Sequence, residues 1–339
     1  MMRGTAKAMT DAELFALADD ARRRGVGDGI HIRAIIEFSS YCRQDCLYCG
    51  LRRSNSAARR YRMTPAEIVA AAQEALSFFP FATFVLQSGE DAAYDARALA
   101  EAVRGIVSLG AVVTLSVGQR PYADYDLWRA AGADRYLLKF ETADPDLFAR
   151  LKPTTTLAER LQCLSDLRRL GYQVGTGNIV GLPGQTAETL ARDLALLVEL
   201  DPEMASVSPF VPHPATPLAG AAPGTADDAL RFIARTRLAL PLAHIPATTA
   251  LSVIDPRGRE RALRAGANVV MVDVTPARYR TGYDIYPGKT TTELGTAALM
   301  RRLEREFARL GRRIAPGPGH SPKAPWGAKE AGQRCGMGS

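Results

Sequence analysis

The chain has 339 residues, 47% of them hydrophobic and 23% charged, an ordinary balance for a globular protein, and no apolar run reaches the ~18 residues of a membrane span. That length admits one large α/β domain or two smaller ones. The net charge of +7 comes with only 7% aromatics and no basic stretch interleaved with them, which argues against nucleic acid and for an anionic small molecule as partner.

In chain order, the opening MMRGTAKAMTDAEL lacks the apolar core of a secretory signal, so the expected location is the cytoplasm, where cysteines stay reduced. Residues 10–24 read as a helix ahead of the first strand, IHIRAIIEFS (30–39). A cysteine-bearing loop follows. The next helix, 64–79, opens with Thr64 as N-cap, Pro65 at its first position and Glu67 at its third. FATFVLQSG is the second strand, and the helix 95–110 after it is closed by Gly110. The same alternation gives strands AVVTLSVG, RYLLKFET, QVGTGNIVGL, MASVSPFV, IPATTAL and NVVMVDVTP, each followed by helical periodicity, the last helix covering about 290–312. Eight strand-then-helix units close most naturally into an α/β (β/α)8 TIM-type barrel, with an open doubly wound sheet as the rival. The expected organisation is an N-terminal helical extension (1–29), the barrel (30–313) and a disordered, flexible tail rich in Pro and Gly (314–339), which contains Cys335. Cys163 falls on an apolar helix face and is expected to be packed.

Three of the five cysteines, Cys42, Cys46 and Cys49, lie in SSYCRQDCLYCG with C-x3-C-x2-C spacing. In a barrel, a loop after the first strand sits at the catalytic mouth. A structural zinc takes four protein ligands, and the fourth would have to be His31, at the far end of the first strand, or a distant residue. A four-iron cluster held by three cysteines keeps one iron open for another ligand. The spacing favours the cluster, with zinc or no metal as alternatives.

A barrel with this spacing after its first strand resembles the radical SAM superfamily. The resemblance implies a 4Fe-4S cluster on Cys42, Cys46 and Cys49, with S-adenosylmethionine (SAM) on the open iron, cleaved by one electron to methionine and a 5′-deoxyadenosyl radical. It implies that Tyr48 lies near the adenine, and that Gly89 and Glu90 in QSGED meet the methionine amino group. It further implies cofactor contacts from Ser116, Glu141 and Arg160, with Arg160 suited to the methionine carboxylate by its fork of donors. The stretch 175–186, GTGNIVGLPGQT, would support the adenine; as a phosphate loop it lacks the lysine.

Further strings, among them EFSSYCRQDCLYCGLRRSN, RYRMTPAEI, VLQSGED, GLPGQT, PFVPHPATPLA and YPGK, run in order over about residues 30–290 and resemble the HydE-type maturases of FeFe-hydrogenase. Methylornithine synthase and biotin synthase are related but less similar. The resemblance implies assembly of the diiron site of the H-cluster, an anionic small-molecule or organometallic substrate, an electron donor, and other hydrogenase maturases as partners. Substrate contacts are expected from Thr248, Thr249, Met271 and Tyr286, with positive charge added by Arg278, Arg280 or Lys289. Two departures stand out. Phe140 occupies a position where the family usually has a histidine, expected to face the substrate. It raises the alternative of a paralogue with the same radical chemistry on another sulfur-containing or amino-acid-like substrate. The second cysteine set common after YPGK is missing, which speaks against a second cluster. From a different class, a non-catalytic scaffold that only binds a cluster precursor is opposed by the intact cofactor motifs.

Overall fold

The computed structural model describes residues 9–289 and 295–323. Its strands are β1 (Gly29–Ser39), β2 (Thr83–Ser88), β3 (Val112–Ser116), β4 (Ala133–Leu137), β5 (Gln173–Val180), β6 (Met204–Pro209), β7 (Val269–Asp273) and a two-residue β8 (Arg313–Ile314). Every ladder is parallel, in the order β6-β5-β4-β3-β2-β1-β7, with β8 added at the start of β1. Helices link the strands on the outside, and the fully buried Ile36, Phe84, Leu86, Val113 and Leu115 belong to the core of the molecule.

The expected seventh strand, IPATTAL, needs correction. Only single bridges form, Met204 with His244 and Pro246 with Val269. They join the two edges of the sheet, so the barrel closes through a segment too short to be a strand. Pro246 has no N–H to donate to a ladder, and two residues later Thr248 caps the helix Thr249–Ile254. Elsewhere the local signals act as read. Thr64 and Glu67 form a reciprocal capping box with Pro65 at the first helical position, and Gly110 follows the C-cap Leu109 with φ 84°. The N-terminal helix Asp11–Val26 packs on the helix Ala226–Ala239, where Arg231 forks onto Asp11 with two bonds of 2.8 Å.

The tail is also corrected, as far as Lys323. Ala315 N–H donates to Ile30 O at 2.9 Å, continuing the β8 pairing. The chain then crosses the base of the barrel. Pro318 O accepts from Thr83 Oγ1 (2.9 Å) and Arg135 Nη2 (2.8 Å). His320 Nδ1 accepts from Arg135 and Gln173, both at 3.0 Å, its carbonyl meets His244 Nε2 at 3.1 Å, and Ser321 N–H donates to Gln173 Oε1 at 2.9 Å. The composition reads as disorder, yet buried arginine and glutamine side chains at the strand starts need partners, and the tail supplies them. Residues 324–339, including Cys335, lie outside the described residues.

Truncation after Ile314 should remove all seven of these bonds, about 7 kcal/mol at ~1 kcal/mol each, and lower the thermal midpoint by roughly 10 °C; an unchanged midpoint would show that the tail adds nothing. The base also holds histidines kept neutral. Burial, followed by Arg33, lowers His31 to about 4; burial, followed by Arg135, lowers His320 to about 4; burial lowers His244 as well. Their folded pKa values lie below the unfolded one, so the stability they contribute is complete above ~6.5 and is lost as the pH falls through about 4. Thermal midpoints should therefore decline between pH 6.5 and 4, and His320→Gln should flatten that decline.

Candidate active site

The C-terminal ends of the strands enclose a cavity of about 420 Å³ that runs down the barrel axis. Its upper wall begins with the cysteine loop. Gly89 N–H donates to Ser39 O and Arg43 N–H donates to Glu90 O, both at 2.9 Å, so the loop after β1 lies on the loop after β2. A Cβ at Gly89 would meet Tyr41 O at 2.2 Å and Cys42 Cβ at 3.0 Å. Arg60 gathers the loop from below: it donates to Ser40 O (2.5 Å), Leu51 O (2.9 Å) and Arg52 O (2.8 Å). Gly50 is clamped against Asp284 O and His213, 2.1 and 2.6 Å from where its Cβ would stand.

Cys42, Cys46 and Cys49 are unbridged thiols, and all three line the cavity. They do not converge as on a single ion; among the described residues no such group of His, Cys, Asp and Glu occurs. Donors are already aimed at the sulfurs: Glu90 N–H at Cys42 Sγ (3.3 Å) and Lys152 Nζ at Cys46 Sγ (3.0 Å). Burial pushes the Cys42 thiol up to about 11, and burial together with Cys46 pushes Cys49 higher still. The bare pocket thus holds these two as neutral thiols.

Tyr48, Gly89, Glu90, Ser116, Glu141 and Arg160 all border this same space. Glu90 is buried, and its carboxylate already accepts from Arg43 Nε (2.7 Å), Gln44 Nε2 (2.6 Å) and Gln119 N–H (3.0 Å). Glu141 lies beyond β4 rather than ending it, bridged to Asn178. It has a left-handed φ of 69°, a conformation that costs a non-glycine residue of order 1 kcal/mol and persists only when surroundings fix it. Here Gly177 O and Ile179 N–H hold its backbone from both sides at 3.0 and 2.9 Å. Glu141 Oε2 makes no hydrogen bond and faces Lys139 Nζ at 3.4 Å. Arg160, on the helix Leu157–Arg169, is 4% exposed and its Nε has no hydrogen-bond partner. Tyr48 packs against Leu147, Leu151, Ile179, Leu182 and Phe210. The glycine-rich stretch is β5 itself and the turn after it, and the turn is tied by Gln185, which accepts from Gly181 N–H at 2.6 Å and donates to the buried Asp193 at 3.2 Å.

Thr248, Thr249, Met271 and Tyr286 also line the cavity. Phe140 does not. It is fully buried in the core while Lys139 and Glu141 on either side line the cavity. Arg278 bonds Glu67 on the surface and Arg280 bonds Thr275 O, while Lys289 reaches inward to Glu37. Cys163 packs against the core as expected.

Four residues escaped the sequence reading. Lys152 stands over Cys46; Asp193 organises the turn after β5; Arg33, 5% exposed with an unpartnered Nε, forms part of the floor; Glu37 sits on the side wall. The period-two pattern of β1 puts Arg33, Ile35 and Glu37 on one face, and charged residues at two of those positions in an otherwise apolar strand were the available signal.

Comparison with known proteins gives this geometry a family. Residues 36–197 match the radical SAM superfamily model. The [FeFe] hydrogenase maturase subunit HydE of Thermotoga maritima is 48% identical over 317 residues, 94% of this chain and 88% of that one. The 3-methylornithine synthase of Methanosarcina acetivorans is 30% identical over 261 residues, 76% of this chain and 73% of that one. Among solved structures, methylornithine synthase superposes with a TM-score of 0.80 at 26% identity over 90% of this chain and 89% of that one. With its three cysteines at the mouth of a parallel barrel and near-full-length identity to HydE, the chain belongs to the HydE family of hydrogenase maturases within the radical SAM superfamily.

Proposed function

We propose that this protein is a HydE-type maturase that uses radical SAM chemistry to help assemble the diiron site of FeFe-hydrogenase. The observation that carries the reading is the coincidence, in one buried cavity, of three unbridged cysteines and a set of polar groups with unfilled hydrogen-bonding capacity. The residues fit a cluster and SAM. Cys42, Cys46 and Cys49 would hold three irons, with Glu90 N–H and Lys152 donating to the sulfurs; since buried Cys42 and Cys49 are protonated when bare, loading releases protons. Bound there, the pair supplies a 5′-deoxyadenosyl radical by one-electron cleavage of the sulfonium.

The chain's own residues orient and enclose. Arg160, with its spare Nε, would take the methionine carboxylate. Glu90 and Glu141 would take the ammonium, Glu90 with its orientation fixed by Arg43, Gln44 and Gln119. Ser116 and Tyr48 would border the nucleoside, Tyr48 from its apolar nest. Thr248, Thr249, Met271 and Tyr286 would face a small organometallic substrate, with an electron donor and other maturases as partners. Phe140 has no contact with the cavity, so its departure from the family histidine gives no ground for a different substrate. No described helix is long and apolar enough to cross a membrane, and we place the enzyme in the cytoplasm. The domain division 1–29, 30–313 and 314–339 is retained as a proposal, with the first ten tail residues counted as part of the barrel base.

Two outcomes test this. Anaerobically reconstituted protein should bind about four irons per chain, form 5′-deoxyadenosine from SAM under reduction, and restore hydrogenase activity to a maturation mixture lacking only its HydE component. SAM cleavage without hydrogenase activation would refute the maturase assignment, and no cleavage by cluster-loaded protein would refute the radical SAM role. Gly89→Ala should drive a methyl group into the cysteine loop and cut iron incorporation at least about threefold at unchanged far-UV circular dichroism, consistent with an overpacking cost of ~1–3 kcal/mol; full iron loading would show that the loop has room to shift.

A further inference from the structure

Glu37 carries a property that the proposed cofactor wall does not use. Its side chain is fully buried and lines the cavity. One carboxylate oxygen, Oε2, pairs with Lys289 Nζ. The other, Oε1, has no hydrogen-bond partner among the described residues. The residue is held in place at its backbone: Glu37 N–H donates to Thr275 Oγ1 at 2.9 Å, and Tyr61 Oη donates to Glu37 O at 2.5 Å. Buried polar atoms in folded proteins are nearly all paired, so an orphaned carboxylate oxygen on a cavity wall marks a missing donor.

The charges on this wall identify the donor further. Glu37 and Asp273 are the two carboxylates; Asp273 has Arg280 at 3.6 Å, and Arg280 is also tied to Thr275 O at 2.8 Å. Burial, opposed by Lys289 and aided by Asp273, lifts the Glu37 carboxyl to about 8. Each carboxylate on this wall therefore has one cation, Lys289 on Glu37 and Arg280 on Asp273, and Glu37 Oε1 keeps a lone pair open. A neutral hydroxyl could fill it, but a primary ammonium makes the stronger, charge-assisted bond to a buried carboxylate.

We propose that Glu37 Oε1 receives a primary ammonium group of the substrate, which makes Glu37 a substrate-binding residue whose specificity is for an amine. Lys289 on the other oxygen fixes the orientation of the carboxylate. This deepens the proposed function and rests on it only in taking the cavity as the place where substrate sits.

The test uses cluster-loaded protein saturated with SAM and titrated by calorimetry at pH 8 with n-butylamine and with its neutral isostere, butan-1-ol. The amine is expected to bind at least about tenfold more tightly than the alcohol. Glu37→Gln should bring the amine down to the level of the alcohol. In the native protein, the amine affinity should fall by up to about tenfold per pH unit below pH 8, because a proton on Glu37, which faces Lys289, Asp273 and Arg280, excludes the ammonium. Equal binding of amine and alcohol, an amine preference surviving in Glu37→Gln, or an affinity that does not change with pH would each overturn the proposal. Formation of 5′-deoxyadenosine by the native preparation reports on the radical reading separately, so either can fail while the other stands.

Discussion

The contact on which the site depends is the one between two backbones. The loop after β1 lies directly on the loop after β2, with Gly89 beneath the Tyr41 carbonyl, where a Cβ would stand 2.2 Å from that oxygen. This approach fixes Cys42 against the Glu90 amide and sets the cysteine loop at the barrel mouth. Arg60 then gathers carbonyls from both ends of the loop, and Arg62 and Ser39 meet on Asp91, at 2.6 and 2.7 Å on one oxygen. A loop with little regular structure is held by charged hydrogen bonds from its own flanks, which suits a segment whose thiols must stay in register for a multi-iron ligand.

A second constraint is how buried charge is distributed along the axis. At the base, Arg135 meets one tail carbonyl, Pro318 O, and His320, held neutral. At the mouth, Glu90 accepts from three donors, which orient it and leave acceptor capacity. Between them, Arg33 Nε, Glu37 Oε1 and Arg160 Nε lack partners and belong to residues of the cavity lining. Other unpartnered buried atoms among the described residues, Arg135 Nε at the base among them, lie outside that lining.

Phe140, at a position where a histidine is usual in the family, is a fully buried core residue outside the cavity lining, between two residues that line it. Conversely, the Pro- and Gly-rich tail looks dispensable but closes the barrel base as far as Ser321. Composition alone predicts disorder for such a segment; the unsatisfied side chains at the strand starts, which a tail can serve, are invisible to it.

What the sequence by itself determined is what depends on near neighbours: the helix cap at Thr64, the alternation of strands and helices, and the cysteine spacing within one loop. Each is settled by residues a few positions apart. Tertiary structure alone decided which polar groups meet. Lys289 reaches Glu37 across 252 residues, Lys152 reaches Cys46 across 106, and His320 reaches Arg135 across 185. It also decided that Pro246 closes the barrel by a single bridge, that Glu141 turns its carboxylate inward at a positive φ, and that Phe140 turns away. These outcomes follow from barrel closure and the face each residue is given, and neither is encoded within a window of sequence.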